Sequence, residues 1–113
     1  MPQINFNNVL TQLESGLTNL AKNTLSDYLT AAEADGKKML TSLTTDLQNW
    51  TNELANGDIT ASNLVYLVTA KKDLIIMDAL KQAGLAEIKI DQFKNSVIQL
   101  ITSTIIGLIP KVS

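Results

Sequence analysis

Apolar residues in the first half of the chain recur every eleven positions. One row consists of Phe6, Leu17, Tyr28, Met39 and Trp50, and a second row, four residues further on, consists of Leu10, Ala21, Ala32, Leu43 and Leu54. Eleven residues complete three helical turns at about 3.67 residues per turn, so both rows lie along one face of a helix. The pattern therefore predicts one long amphipathic helix over about residues 6–55.

Gly36 is the position at which this first helix could break, because an Asp-Gly pair often forms a turn. Apolar positions keep helical spacing across the glycine, and no Ser, Thr, Asp or Asn follows it directly to cap a new helix. We therefore expect the helix to continue through Gly36, either at a cost of roughly 1 kcal/mol relative to alanine or as a small-residue contact point. The alternative is a turn between two shorter helices.

The second half of the chain repeats the same period. Its rows are Leu64, Ile75, Ala86, Val97 and Leu108, then Val68, Ala79, Ile90 and Ile101. The stretch ANGDIT at residues 55–60 separates the two halves and predicts a turn at about residues 56–60, with Asp58 or Thr60 as the N-cap of the next helix. A second arm is expected over about residues 61–109, with Pro110 as its stop.

Gly84 leaves two architectures open for this second arm, because it either caps one helix before another or only kinks a single helix. Uninterrupted arms of about 48 residues would form a helical hairpin roughly 70 Å long at 1.5 Å rise per residue. Broken arms would form a shorter up-down bundle of three or four helices. Both architectures are all-α and place residues 1–113 in one domain.

The stretch SVIQLITSTIIGLIP at residues 96–110 carries no charged side chain and is apolar over most of its helical circumference. Three coverings would keep it from water: the core of a compact bundle, a second copy of the chain, or lipid or another apolar ligand. We favour a second copy in a homodimer, because two hairpins complete a four-helix core. The residues predicted for this interface are Leu74, Met77, Ile98, Ile101, Ile105, Ile106 and Ile109.

A membrane or lipid surface is the main alternative partner. The uncharged run is shorter than the roughly 20 residues that a helix needs to cross a bilayer, so a single span is not expected. The eleven-residue amphipathic period resembles that of the lipid-surface helices of exchangeable apolipoproteins and synucleins. This resemblance in period implies binding in the plane of a membrane; a pore-forming protein and a carrier of an apolar ligand belong to the same alternative.

Composition excludes several classes of chemistry. Nine lysines, no arginine and a net charge of −2 argue against a nucleic-acid partner. Cysteine and histidine are both absent, so the chain has no thiolate nucleophile and no histidine base or metal ligand. We expect neither catalytic residues nor a cofactor or metal. Lys72 lies on the same stripe as Val68, Ala79 and Ala83. We expect it to extend to solvent or to pair with an acidic partner across an interface, the alternative being a pocket that disfavours its charged form.

The beginning of the chain, MPQINFNNVL, lacks the basic segment and apolar run of a secretory signal. A cytoplasmic protein is the default expectation, and the sequence does not identify a protein partner. Together these features predict a non-enzymatic helical interaction or scaffolding module that self-associates through its C-terminal helix. On this reading, Ile105→Asp would lower the mass of the assembly and leave most of the helical signal.

Overall fold

The computed structural model describes residues 5–109, and this part of the chain is all-α. Its elements are α1 (Phe6–Thr24), α2 (Leu29–Asn56), α3 (Ala61–Ala70), α4 (Asp78–Gln82) and α5 (Glu87–Leu108), with short 3₁₀ turns at Ser26–Tyr28 and Lys72–Leu74. The predicted fold class is confirmed. Pro110, the expected stop of the second arm, lies outside the described residues.

The predicted first arm is two helices rather than one. The chain leaves the helical conformation at Leu25, with φ −136° and ψ 49°, and passes through the 3₁₀ turn before α2 begins. Ser26 and Asp27 occupy this turn, and their side chains compete with helical hydrogen bonding and favour turns. Because the connection is short, α1 folds back on α2 and the two helices pack against each other.

Gly36 lies within α2, which is 28 residues long and continuous from Leu29 to Asn56. The prediction that the helix continues through this glycine is confirmed. A Cβ added at Gly36 would lie 2.5 Å from Cδ1 and 2.7 Å from Cδ2 of Leu17 in α1. The glycine is therefore the small-residue contact point at which α1 and α2 approach each other.

The turn between the two halves lies at the predicted place. Gly57 ends α2 in the left-handed conformation, with φ 81°, and its N–H donates to the carbonyl oxygens at the end of the helix. Of the two proposed N-caps, Thr60 is the one used. Its hydroxyl accepts from the N–H of Asn63 at 3.1 Å, and the Asn63 side chain accepts from the N–H of Thr60 at 3.0 Å.

The predicted second arm breaks at two places. One is Gly84, whose φ of 93° is left-handed, so the chain breaks there rather than continuing as a single kinked helix. The other break, between Ala70 and Asp78, was not predicted. It includes residues 74–77, which are four consecutive apolar residues and could not all lie on one face of a helix. In the irregular segment their burial alternates, with Ile75 and Met77 buried and Leu74 and Ile76 exposed.

The five α-helices within residues 5–109 pack around one hydrophobic core. Helix α1 contacts α2 and α5, α3 contacts α2 and α5, and the short α4 lies against α2 and α5. The molecule measures 47 × 23 × 21 Å, well short of the roughly 70 Å expected for an uninterrupted hairpin. Residues 5–109 therefore form a compact all-α arrangement with five helices, where the compact alternative had three or four.

The apolar face of α5 is covered by the same chain. Its buried residues are Ile90, Phe93, Val97, Ile98, Ile101, Thr102 and Ile105, and its half-buried apolar residues include Leu100, Ile106 and Leu108. Helices α1, α3 and α4 supply the covering. The segment that led us to expect a second copy is thus part of the core of a single copy, the first of the three coverings considered above.

Candidate interaction surface

The seven residues predicted for self-association do not form one surface. Their exposure divides them into three groups: Met77, Ile98, Ile101 and Ile105 are buried, Ile106 and Ile109 are half-buried, and Leu74 is exposed. The four buried side chains have no area left to offer a partner in this conformation of the chain. Leu74 is the one member of the seven that is largely exposed.

Leu74 and Ile76 form the most exposed pair of neighbouring apolar side chains in the described residues. Leu74 is 73% exposed and Ile76 is 66% exposed, whereas Ile75 between them is buried. The extended backbone at Ile75, with φ −100° and ψ 123°, sends alternate side chains to opposite sides. We call these two exposed side chains the 74/76 ridge.

A groove of about 260 Å³ lies on one side of the ridge, between the irregular segment, α4 and the start of α5. Ile75, Ile76, Met77 and Ile90 supply its apolar lining. Its charged rim includes Asp73, Lys81, Glu87 and Lys94. We call it the α4–α5 groove.

A second groove, of about 200 Å³, lies between the ridge and α2. Met39 and Ser42 of α2 line it together with Leu74, Ile75 and Ile76. Ile76 therefore belongs to the walls of both grooves. A projecting apolar ridge flanked by two shallow apolar grooves is an arrangement typical of a contact surface rather than of scattered exposed residues.

Two salt bridges fix the irregular segment to the helices around it. Nζ of Lys72 lies 2.7 Å from Oδ1 of Asp91 in α5, and Nζ of Lys71 lies 3.4 Å from Oδ2 of Asp46 in α2. Lys72 therefore pairs with a carboxylate of its own chain rather than with one across an interface. These are the two salt bridges within residues 5–109, so the four rim charges of the α4–α5 groove make none there.

Asp35 positions the helix that forms one wall of the α4–α5 groove. Asp35 is 4% exposed, and its carboxylate accepts hydrogen bonds from the N–H groups of Ala79 at 3.1 Å and Leu80 at 2.7 Å, in the first turn of α4. Sequence analysis missed this role. A signal was present, because Ala32, Asp35 and Gly36 have the i, i+3, i+4 spacing of one buried face.

The described residues contain no group of three or more carboxylates that could hold a metal ion, and none of their helices is long and apolar enough to cross a membrane. Their buried side-chain polar atoms all have hydrogen-bond partners. For example, the hydroxyl of Thr51 donates to the carbonyl of Leu47 at 2.6 Å. Comparison of the chain with known protein families, curated proteins and solved structures found no match.

Proposed function

We propose that this protein is a non-enzymatic helical interaction module that self-associates through the 74/76 ridge and the two grooves beside it. The observation that carries the proposal is the exposure of Leu74 and Ile76, 73% and 66%, directly beside apolar groove walls. Each large apolar side chain gains roughly 1.5 to 3 kcal/mol when it is removed from water. A partner that covers the ridge would recover this free energy.

The size of the grooves supports a protein partner over a small apolar ligand. Pockets for drug-sized ligands usually enclose about 300–1,000 Å³. The two grooves measure about 260 and 200 Å³ and are shallow, so neither reaches that range. They are better suited to receive individual side chains from a second protein surface.

The charges support a protein partner over a lipid surface. Helices that lie on membranes usually carry lysine or arginine along the border of the apolar face. The rim of the α4–α5 groove instead mixes Asp73 and Glu87 with Lys81 and Lys94. The two carboxylates would be repelled by anionic headgroups.

The first test is the mass in solution, by light scattering after gel filtration without detergent. We expect a discrete multiple of 12.3 kDa for the wild-type chain and a shift toward 12.3 kDa for Ile76→Asp, with an unchanged far-UV circular dichroism spectrum. Ile88→Asp is the matched control. Ile88 is 68% exposed but lines neither groove, so its substitution should leave the mass unchanged. A wild-type chain of 12.3 kDa at all concentrations would contradict the proposal.

A further inference from the structure

The α4–α5 groove and the 74/76 ridge are adjacent on one chain, so a single copy carries both a projecting side chain and a recess beside it. Ile76 is 66% exposed and stands at the edge of a groove whose lining includes Ile75, Met77 and Ile90. A two-fold symmetric interface requires a patch that is complementary to itself. This patch supplies both a projection and a recess, the two shapes that such an interface combines.

The charged residues that line the groove are of both signs, and one of them, Asp91, is already paired with Lys72. Asp73 and Glu87 are matched by Lys81 and Lys94, so these four groups have no net charge. Among the described residues none of the four makes a salt bridge. A partner surface of one sign would attract one pair of rim charges and repel the other pair, whereas a second copy of the same rim offers a carboxylate for each lysine.

We propose that two copies dock about a two-fold axis, with Ile76 of each copy in the α4–α5 groove of the other and with Lys81 and Lys94 facing the carboxylates of Asp73 and Glu87 across the axis. This inference rests on the proposed self-association and adds its geometry and its charge pairing. Asp91 contributes little to this pairing because it already binds Lys72.

Charge reversal tests the pairing. The acidic variant carries Lys81→Glu and Lys94→Glu, and the basic variant carries Asp73→Lys and Glu87→Lys. In each homodimer, groups of the same charge would face each other across the two-fold axis. We therefore expect the dissociation constant of each homodimer to rise at least about tenfold at low salt. An equimolar mixture should form a heterodimer with about the wild-type dissociation constant, identified by native mass spectrometry. About 1 M salt should weaken that heterodimer by screening its charges.

Lys94 is half-buried, so its substitution could disturb folding. A second pair of variants avoids this position. Lys81→Glu and Glu87→Lys are single substitutions of exposed residues, and they should show the same pattern with smaller changes. Circular dichroism and thermal unfolding of every variant establish that it is folded before its mass is interpreted.

The outcomes separate this inference from the proposal on which it rests. A wild-type chain that stays at 12.3 kDa overturns both, and co-flotation of that monomer with phosphatidylserine vesicles would identify lipid as the occupant. A wild-type dimer whose folded acidic and basic variants dimerise as well as the wild type overturns the docking geometry alone. Two monomeric variants that fail to combine overturn the pairing across the axis.

Discussion

Leu80 donates its backbone N–H to the Oδ2 atom of Asp35 over 2.7 Å, although 45 residues separate the two in sequence. The same carboxylate accepts from Ala79 at 3.1 Å, while α4 has no side-chain N-cap of its own. A five-residue helix is too short to be stable by itself, since nucleation costs more than so few hydrogen bonds return. Helix α4 is therefore held in place by a side chain of α2.

Asp35→Asn should destabilise the protein by about 1–3 kcal/mol. The amide oxygen can accept from only one of the two N–H groups, and the amide NH₂ is a donor that would face the other one. Urea unfolding followed by circular dichroism measures the change. Glu14→Gln, the equivalent change at an exposed position of α1, should stay within about 0.5 kcal/mol of the wild type. Equal effects of the two substitutions would show that the Asp35 carboxylate does not hold α4.

Gly36→Ala and Gly107→Ala should have opposite effects on stability. Alanine is favoured over glycine inside a helix by about 1 kcal/mol, and a Cβ at Gly107 meets no atom within 4 Å. At Gly36 the new methyl would press on the side chain of Leu17, which is fully buried in the core. We expect Gly36→Ala to destabilise by about 1–3 kcal/mol through overpacking, and Gly107→Ala to stabilise slightly. Thermal unfolding of both variants measures this contrast, and stabilisation by Gly36→Ala would contradict the close approach of α1 and α2.

Thr60→Ala should cost about 1 kcal/mol, because it removes the hydroxyl that accepts from the N–H of Asn63 at the start of α3. Thr60→Ser keeps that hydroxyl and should keep most of the stability. Chemical unfolding measures both variants. Equal loss in the serine variant would assign the effect to the methyl group rather than to the cap.

Ile105→Asp should now unfold the chain rather than dissociate an assembly. Ile105 is fully buried in the core, and a carboxylate there would have no partner to offset its loss of hydration. We expect loss of the cooperative thermal transition and of much of the helical signal. If the Ile105→Asp protein were folded and monomeric while the wild type is an oligomer, the interface would lie on α5, as the sequence pattern predicts.

The eleven-residue period indicated the inward side of the helices correctly even where it misplaced the helix ends. All ten residues of the two rows in the first half are buried or half-buried, as expected of one apolar stripe. Among the nine residues of the second-half rows only Ala86 is exposed. Buried positions require apolar residues, so the spacing of apolar residues indicates which side of a helix faces inward. This holds whether the chain forms one long helix or two shorter ones.

The sequence by itself determined the all-α class, the buried faces, the turn after Asn56 and the continuity of α2 through Gly36. Only the tertiary structure decided the breaks at Leu25 and after Ala70, the capping of α4 by Asp35, and the enclosure of α5 by its own chain. Local preferences of about 1 kcal/mol per residue are outweighed where folding back buries several large side chains. An apolar pattern predicts that one face of a helix is shielded from water, but which segment shields it depends on how distant parts of the chain pack together.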